Sequence, residues 1–349
     1  MTTLPTCDYR YVLLNSSRFF HCGHTKMHAA GNLVEAAVCN ACTLHDVPCR
    51  NPRPHPKNSI LRVPLPYGAE RLEYVTVEEL VSDVRALTAR LPTDLGAVAG
   101  IPRSGMLPAS LVASYLHLPL YELSCTNGLR RLGCGARLET SHESQGPLLV
   151  IDDSVATGTA MIHARKLIEQ LSPQRDAYFA AVYVTPKMEV PVDFIGRTAP
   201  SPHLFEWNLF NCRFTNSFAF DFDGVLCHDW KGGDETGAEY LDFLRNTKAR
   251  WLPRRSPVRL IVTARLEKYR EITIAWLKRH GVRVHELVMG PWSSTEERSK
   301  HFSAAEHKGR AFAESNCWLF IESDEQQAAA IFTATGKPVL CAKSGAIFQ

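Results

Sequence analysis

The sequence predicts an α/β protein with two doubly wound parallel-sheet domains and a small cysteine-rich module in front of them. Apolar segments alternate between strand spacing and helix spacing over residues 58–195, which is typical of a parallel sheet covered by helices. The same alternation restarts at residue 215, after an irregular stretch with prolines at positions 200 and 202. Five of the 11 cysteines lie before residue 50, which indicates a separate unit.

The boundaries follow changes in composition. Residues 1–57 hold the cysteine cluster and end in the proline-rich segment 50–56, which is too stiff to build a packed element. We expect the first α/β domain at 58–195, a linker at 196–214 and the second α/β domain at 215–349.

Each element follows from the spacing of its apolar residues. In the first domain the spacing predicts helices and strands in the order helix 77–91, strand 95–99, helix 107–116, strand 147–151, helix 159–171 and strand 178–184. In the second domain the predicted order is strand 218–222, helix 240–244, strand 258–262, helix 266–280, strand 318–321, helix 325–333 and strand 338–341.

Composition and charge exclude several classes of protein. Hydrophobic residues make up 45% of the 349 residues and charged residues 21%, as in ordinary globular proteins. A net charge of +3 does not by itself favour a nucleic-acid partner. We find no apolar run that could span a bilayer and no signal-peptide pattern, so we expect a cytoplasmic protein without a membrane partner. A homodimer is compatible with this composition.

The sharpest chemical signal lies at residues 148–160. An apolar strand delivers two adjacent carboxylates, Asp152 and Asp153, and a loop of small residues then leads into a helix. Backbone N–H groups at such a helix start suit a phosphate, and the two carboxylates can accept hydrogen bonds from a vicinal diol. A phosphate together with a diol describes a ribose 5-phosphate.

This segment resembles the 5-phosphoribosyl-1-pyrophosphate (PRPP) motif of the type I phosphoribosyltransferases along its whole length. The resemblance implies that Asp152 and Asp153 hold the ribose hydroxyls. It also implies that the 5-phosphate is wrapped by the five residues Ala156, Thr157, Gly158, Thr159 and Ala160. The alternative is a purely structural turn whose aspartates cap the helix.

A second strand–loop–helix segment, residues 98–106, precedes this motif. In the family the matching loop binds pyrophosphate, which implies that role for Arg103, Ser104 and Gly105, with Mg²⁺ neutralising the leaving group. A surface turn with an incidental arginine is the alternative. The resemblance also implies a lid at 125–146, where Arg130 and Arg131 either reach the pyrophosphate or are solvated, and an acceptor wall before residue 95.

A second chemical site is predicted at residues 218–226. Asp221 and Asp223 follow an apolar strand and precede Gly224, which resembles the DxDGxL motif of the haloacid dehalogenase (HAD) superfamily. The resemblance implies that Asp221 is a nucleophile and Asp223 an acid and base. It implies that Thr263 binds the phosphoryl group.

The remaining HAD residues come in the expected order. Lys308, which we expect to open a helix, is our choice for the motif lysine, with Lys300 as the alternative. Glu322 or Asp324 would complete a Mg²⁺ site with Asp221 and Asp223. Residues 217–341 resemble the phosphatase half of polynucleotide kinase-phosphatases and leave no room for a large cap domain. The alternative is a HAD fold without activity.

The cysteine cluster has spacing typical of a structural zinc site. We expect the metal to be held by Cys22, His24, Cys39 and Cys42, with Cys49 as the alternative ligand and Cys7 as a third choice. Such a module would stabilise a short segment, or dock nucleic acid or protein with help from nearby basic residues.

Together these sites predict a bifunctional enzyme. A phosphoribosyltransferase would act on PRPP and a base-like acceptor, and a HAD phosphatase would then remove a phosphate, which we expect to be the 5-phosphate of the product. One alternative is two independent activities, with the HAD domain acting on nucleic-acid ends. Another is a PRPP-sensing or nucleotide-sensing regulator that binds RNA. Trp207 and Trp251 are interpreted as packing residues, and a basic patch is noted at Lys248, Arg250, Arg254 and Arg255.

Overall fold

The computed structural model describes residues 10–12, 19–22, 33–35, 53–54, 65, 71–133, 146–186, 192–233, 235–301 and 303–349. The chain divides into two units, Met1–Arg62 and Val63–Gln349. The first unit contains the strands β1 (Arg10–Val12), β2 (Phe19–Cys22), β3 (Leu33–Glu35) and β4 (Arg53–Pro54). They pair in the order β3-β2-β1-β4.

The second unit begins with an α/β region built around a six-stranded sheet. Its elements are β5 (Glu73–Val75), α1 (Val77–Thr88), β6 (Ala97–Gly100), α2 (Met106–Leu116), β7 (Leu120–Ser124), β8 (Gly128–Gly133), β9 (Leu148–Val155), α3 (Thr159–Leu171), β10 (Ala177–Val184), β11 (Phe194–Thr198) and β12 (His203–Phe205). α1 starts at a capping box, in which Thr76 and Glu79 satisfy each other's backbone N–H groups.

The sheet has the strand order β11-β10-β9-β6-β7-β8, and only β8 runs antiparallel to its neighbour. β6 and β9 are buried along nearly their whole length, because helices and apolar side chains cover both faces. The chain leaves β6 towards β7 on one side and returns to β9 on the other. This reversal of strand order marks the place where ligands bind in open α/β sheets.

Five strands of this region, β5, β7, β8, β11 and β12, were absent from the sequence prediction. β7, β8 and β11 are largely exposed or half-buried, so no continuous apolar run marks them. β12 lies inside the stretch predicted to be irregular, and it pairs in parallel with β5. β9 also extends to Val155, so both aspartates of the predicted PRPP motif lie within the strand and not after it.

A second six-stranded sheet follows. Its elements are β13 (Phe218–Asp221), α4 (Ala238–Asn246), β14 (Val258–Leu266), α5 (Arg270–Arg279), β15 (Val284–Gly290), α6 (Thr295–His301), α7 (Ala304–Glu314), β16 (Leu319–Glu322), α8 (Glu325–Thr335), β17 (Val339–Cys341) and β18 (Ile347–Phe348). The predicted helix at 266–280 begins later, at Arg270, because a 3₁₀ turn at Glu267–Tyr269 precedes it.

This sheet has the strand order β15-β14-β13-β16-β17-β18, with only β18 antiparallel. β13 stands in the middle, and the strand order reverses between β13 and β16. Both strands are fully buried, with apolar clusters on each face. The carboxyl ends of β13 and β16 therefore form a second place suited to a ligand.

The last residue of the chain ties the end of the second sheet to the segment before β5. Gln349 Nε2 donates to Leu72 O at 2.9 Å, and Leu72 N donates to Gln349 Oε1 at 2.7 Å. Leu65 and Leu72 pack with Leu204 and Leu209 in the same core as the second sheet. None of the helices in the described part of the chain is long and apolar enough to cross a membrane.

Candidate active sites

The first candidate site lies where β6 and β9 end. A turn carrying Arg103, Ser104 and Gly105 follows β6 and leads into α2. A Cβ atom added to Gly105 would lie 2.7 Å from Asp152 Oδ1 and 2.5 Å from Ile101 O, so a larger residue would clash there. The structure thus brings this turn next to the carboxylate of Asp152.

The two aspartates of β9 are buried and held in fixed orientations. Asp152 Oδ1 accepts a hydrogen bond from the backbone N–H of Asp153 at 2.9 Å. Asp153 Oδ1 accepts one from the backbone N–H of Ser154 at 2.8 Å, and Asp153 Oδ2 accepts one from Trp207 Nε1 at 2.9 Å. These bonds fix the direction in which each carboxylate faces.

The loop after β9 exposes backbone groups at the start of α3. Gly158 adopts a left-handed conformation with φ of 77°, which favours glycine, and it precedes the helix without a side-chain cap. Ala156, Thr157, Thr159 and Ala160 are exposed around it. The first N–H groups of α3 therefore have the orientation and accessibility that an anionic ligand requires.

Trp207, which donates to the Asp153 carboxylate, belongs to a group of three stacked aromatic side chains. The Phe205 and Trp207 rings stack with centroids 4.5 Å apart and planes at 12°, and Tyr183 stacks against Trp207 at 6.3 Å. The Tyr183 hydroxyl donates to Asp83 Oδ2 at 2.8 Å, which fixes its ring. These residues form an aromatic group beside the site that could pack against a planar molecule.

Sequence reasoning treated Trp207 as a packing residue, and its ring does stack on Phe205. Its indole Nε1 also donates to Asp153, 54 residues away along the chain, which was not predicted. No local pattern marks this contact, because it depends on β12 pairing with β5.

The environment of Asp152 alters its acidity. Burial, and then the charge of neighbouring Asp153, raise the pKa of Asp152 to about 8. An aspartate in an unfolded chain has a pKa near 4. The folded protein therefore holds a proton on Asp152 at neutral pH, where the unfolded chain does not.

We expect this proton to appear in the pH dependence of stability. Because the folded-state pKa is raised, the stabilising contribution is present below the unfolded pKa and is lost as pH rises from about 4 to about 8. Asp152→Asn should remove this loss, so the variant should gain stability relative to wild type between pH 5 and 8. Urea unfolding of both proteins across that range measures it. A constant difference between the two proteins would contradict the assignment.

The predicted lid arginines lie on or near β8. Arg130 pairs with Glu122 of β7, with Nη2 and Oε2 2.5 Å apart, and its side chain is more than half exposed. This arrangement holds Arg130 on the surface of the β7–β8 hairpin. Arg131 lies opposite Tyr121 in the same hairpin.

The second candidate site lies at the carboxyl ends of β13 and β16. Lys308 of α7 is buried, and its ammonium lies 2.9 Å from Asp221 Oδ2 and 2.7 Å from Glu322 Oε2. Gln327 Oε1 accepts a third hydrogen bond from it at 3.0 Å. Two buried carboxylates thus share one ammonium. Burial and the charge of Glu322 raise the pKa of Asp221 well above its ordinary value.

Lys308 occupies a different position in its helix from the one predicted. It lies in the second turn of α7, which begins at Ala304 behind a capping box at Ser303, so it does not open the helix. The side chain of the alternative, Lys300, lies outside the described residues.

Asp223 is held by an arginine that sequence reasoning did not single out. Arg265 Nε donates to Asp223 Oδ2 at 2.8 Å, and Arg265 Nη2 donates to Asp223 Oδ1 at 2.6 Å. The guanidinium is buried and lies over the Phe222 ring at 4.1 Å. Its signal in the sequence was its place two residues after Thr263. Strand alternation does not apply there, because the register of β14 with β15 shifts between Val262 and Leu266.

Thr263 ends up buried beside this pair. Its Oγ1 accepts a hydrogen bond from the backbone N–H of Arg265 at 3.1 Å. His307 Nε2 lies 3.2 Å from Thr263 O, and burial lowers the pKa of His307 to about 4, so the ring is neutral. The Thr263 hydroxyl is therefore held against the backbone of Arg265, the residue whose guanidinium binds Asp223.

A cavity of about 360 Å³ opens over these residues. Its floor includes Asp221, Asp223 and Lys308, and one wall is aromatic, with Trp230, Tyr240 and Phe243. Its remaining lining includes two ion pairs, Arg298 with Glu235 at 2.8 Å and Lys343 with Asp229 at 2.8 Å. The segment between β13 and α4 therefore contributes several residues to the lining of the cavity.

The two candidate magnesium ligands of the last motif have different surroundings. Glu322 is fully buried and bound to Lys308, and Oε1 accepts from the backbone N–H of Ser323 at 2.8 Å. Asp324 is exposed, lines the cavity and caps α8 through the backbone N–H of Gln327 at 2.9 Å. Asp324 is thus the acid that a ligand in the cavity can reach.

Metal ligation was predicted at two places. Among the residues described in the structure, no three His, Cys, Asp or Glu side chains form a preassembled metal-binding group. Cys22 ends β2, and the side chains of all predicted zinc ligands, Cys22, His24, Cys39, Cys42 and Cys49, lie outside the described residues.

Two curated proteins are similar to part of this chain. The xanthine-guanine phosphoribosyltransferase of Chromohalobacter salexigens is 31% identical over 123 residues, which cover 34% of this chain and 72% of that protein. The enzyme of the same name from Nitratidesulfovibrio vulgaris is 32% identical over 142 residues, which cover 38% of this chain and 83% of that protein. No family model matches the chain.

One solved structure with a similar backbone is the xanthine-guanine-hypoxanthine phosphoribosyltransferase of Helicobacter pylori. It is 18% identical, covers 39% of this chain and 93% of its own, and gives a TM-score of 0.33. A TM-score this low is no basis for a functional inference. The similarity to phosphoribosyltransferases therefore rests on the curated sequences.

Proposed function

Since the chain belongs to the phosphoribosyltransferase family, we propose that its two candidate sites act one after the other on the same molecule. Family membership supports phosphoribosyl transfer from PRPP to a base. The finer proposal is that the second site then removes the 5-phosphate from the product, so that a riboside leaves the enzyme. Hydrolysis of the phosphate would make the reversible transfer irreversible.

The main support for the transferase part is the position of the turn after β6, which lies next to Asp152. In this proposal the exposed N–H groups around Gly158 hold the 5-phosphate, and Asp152 and Asp153 hold the ribose hydroxyls. Arg103 pairs with the pyrophosphate that departs from the anomeric carbon. The base attacks that carbon, and the carbon–oxygen bond to pyrophosphate breaks with both electrons going to the leaving group.

The acceptor is proposed to be a purine base. The aromatic group of Tyr183, Phe205 and Trp207 lies beside Asp153 and offers planar surfaces for stacking. Two relatives are named for xanthine and guanine, which makes these two bases the first to test. The Trp207 bond would align the aromatic group with the ribose-binding carboxylate.

The main support for the phosphatase part is that the buried Lys308 ammonium pairs with the buried carboxylates of Asp221 and Glu322. In this proposal an Asp221 oxygen attacks phosphorus, and the ester oxygen leaves with a proton from Asp223. Water then attacks the aspartyl phosphate and gives a proton back to Asp223, which releases inorganic phosphate. Thr263 and Lys308 would bind the phosphoryl oxygens, and Arg265 would orient Asp223.

At the second site two carboxylates face one ammonium, because Asp221 and Glu322 both pair with Lys308. Asp221, Asp223 and Asp324 would hold Mg²⁺ with oxygen donors, with Glu322 behind them. When bound, the ion would neutralise phosphoryl charge here and pyrophosphate charge at the first site.

The domain organisation that goes with this function also stays a proposal. A transferase domain would span 58–195, followed by a linker at 196–214 and a HAD domain at 215–349. The segment 1–57 would be a zinc-bound structural module. β12 and Trp207, which lie within the proposed linker, suggest that this segment serves the transferase as well.

An assay of wild type and Asp221→Asn tests the sequence of reactions. Each purified protein is incubated with PRPP, Mg²⁺ and a panel of bases that starts with xanthine and guanine, and products are identified by mass spectrometry. We expect free riboside from the wild type and a 5-phosphoribosyl product that accumulates in the variant.

Other outcomes of this assay would separate the two parts of the proposal. A 5-phosphoribosyl product that accumulates equally in both proteins would leave the transferase and reject the coupling. Faster hydrolysis of 5-phosphorylated or 3-phosphorylated oligonucleotides than of mononucleotides would favour a separate role on nucleic-acid ends. No PRPP consumption with any base would reject the transferase and favour a regulator.

A further inference from the structure

Five exposed arginines lie together on the second sheet domain, and we propose that they bind the phosphodiester backbone of a nucleic acid. This arginine patch consists of Arg245, Arg254, Arg255, Arg279 and Arg283. It lies outside both candidate active sites, so it adds a binding surface to the proposed function and does not depend on it.

Contacts between the loops bring these arginines together. Arg279 Nη2 donates to Arg245 O at 2.6 Å, and Arg283 Nη2 donates to Arg255 O at 2.8 Å. Asn211 Oδ1 accepts from the backbone N–H groups of Arg254 and Arg255 at 3.0 and 3.1 Å. Residues that are up to 38 positions apart in the sequence therefore form one surface.

The pKa of His280 is influenced by arginines from two parts of the patch. Burial first, and then the positive charges of Arg279 and Arg254, lower the pKa of His280 below its ordinary value. The two arginines come from different elements, yet both act on one imidazole. A concentrated positive field therefore covers this part of the surface.

The arginines of the patch lack acidic partners. Within the described ranges of the chain, none of the five forms an ion pair with a carboxylate at 4.0 Å or less. Arginines elsewhere do form such pairs, namely Arg130, Arg165, Arg197, Arg265, Arg270 and Arg298. Among the described residues, the lack of ion pairs thus distinguishes the arginines of the patch from these others.

Helix dipoles account for only part of the patch. Arg245 and Arg279 lie in the last turns of α4 and α5, where a cation is stabilised by the helix. Arg254, Arg255 and Arg283 lie in loops and gain nothing from a helix end. Grouped like charges repel each other and collect counterions, which a polyanion releases on binding.

Arginine side chains favour a phosphodiester over other anionic surfaces. A guanidinium carries five N–H donors, and Arg279 and Arg283 each use one Nη2 group on a carbonyl, which leaves donors for phosphate oxygens. Membrane-surface binding usually needs apolar side chains that insert into lipid. In the described part of the chain, every large hydrophobic side chain that is exposed lies before residue 200.

The patch is distant from the phosphatase site. Arg254 and Arg255 precede the amino end of β14, and Arg283 precedes that of the parallel strand β15. Thr263 lies five residues further along β14 than Val258, a rise of about 17 Å. A nucleic-acid strand bound at the patch would therefore leave the cavity over Asp221 accessible.

The basic patch expected from the sequence is divided in the structure. Arg250 turns inwards, with Nη1 donating to Gly224 O at 2.7 Å and the guanidinium over the Trp251 ring at 4.3 Å. Arg254 and Arg255 remain on the surface and are joined by arginines that the sequence pattern did not connect with them.

Fluorescence anisotropy of the full chain tests the proposal. A labelled single-stranded oligonucleotide of about 20 residues is titrated between about 50 and 200 mM NaCl. The test variant carries Arg254→Gln, Arg255→Gln and Arg283→Gln. The control carries Arg71→Gln, Lys166→Gln and Lys268→Gln, three exposed cations elsewhere, so both lose the same charge.

We expect the patch variant to bind at least about tenfold more weakly, with a salt slope smaller by about two to three, while the control stays near wild type. Thermal melting checks that both variants fold. If the triple variant folds poorly, the single variant Arg254→Gln is measured in its place. We expect it to lower the slope of log affinity against log salt concentration by about one. Absent binding by wild type, or equal losses in both triple variants, would overturn the proposal. So would patch-dependent binding to phosphatidylserine vesicles without binding to the oligonucleotide.

Discussion

Replacing Asp221 with asparagine is expected to slow phosphate-ester hydrolysis by at least ~10⁴-fold while phosphoribosyl transfer continues. The carboxylate oxygen is the proposed nucleophile, and the asparagine amide cannot form the aspartyl phosphate. The substitution leaves the size of the side chain nearly unchanged. It also removes one of the two carboxylates that pair with Lys308. Release of inorganic phosphate from a nucleoside 5-monophosphate measures the effect.

A matched substitution in the same cavity serves as the control. Asp229 also lines the cavity, but it is only half-buried and pairs with the exposed Lys343. Asp229→Asn removes the same charge, and we expect hydrolysis to change by less than about tenfold. Equal losses in the two variants would mean that the cavity needs negative charge in general, and would reject Asp221 as the nucleophile.

Replacing Lys308 with methionine is expected to destabilise the folded state by about 3–5 kcal/mol. The ammonium is the buried partner of both Asp221 and Glu322, so its loss leaves two carboxylates without a compensating charge. One of them should then take up a proton in the folded state, at a pKa raised above its unfolded value. Such a proton stabilises at low pH, so the loss should be larger at pH 8 than at pH 5.

Urea unfolding of three proteins measures this effect. Lys343→Met removes an exposed lysine whose pair with Asp229 is open to solvent, and it should change stability by no more than about 1 kcal/mol. The double variant Lys308→Met, Glu322→Gln should recover part of the loss, since it removes one of the stranded acids. If Lys308→Met and Lys343→Met were equally mild, the buried set would not depend on this charge.

Local motifs account for what could be predicted about the two sites. Asp152 and Asp153 are adjacent in the sequence, and Asp221 and Asp223 are two residues apart. Each pair comes directly after a run of apolar residues, although in the structure Asp152 and Asp153 lie within β9 and Asp221 ends β13. An apolar run, a carboxylate pair and a following glycine are all visible within a dozen residues. Thr263 and Glu322 could be named as candidates because each lies at the end of an apolar run that the sequence shows.

Contacts between distant segments could not be predicted in the same way. Arg265 meets Asp223 across 42 residues, and Trp207 meets Asp153 across 54. β12 carries no apolar run of its own, and it becomes a strand because β5 offers it a partner. Each of these contacts needs a strand register that no local pattern determines.

The sequence by itself determined the α/β class and the two carboxylate pairs after runs of apolar residues, because apolar periodicity and short motifs are local properties. Only the tertiary structure decided which charges have partners. It enclosed Lys308 between Asp221 and Glu322, turned Arg250 inwards and, among the described residues, left five arginines together without ion pairs to carboxylates. Pairing depends on distance in space, and burial then determines whether a charge has to be matched within the protein or can be left to solvent and ligands.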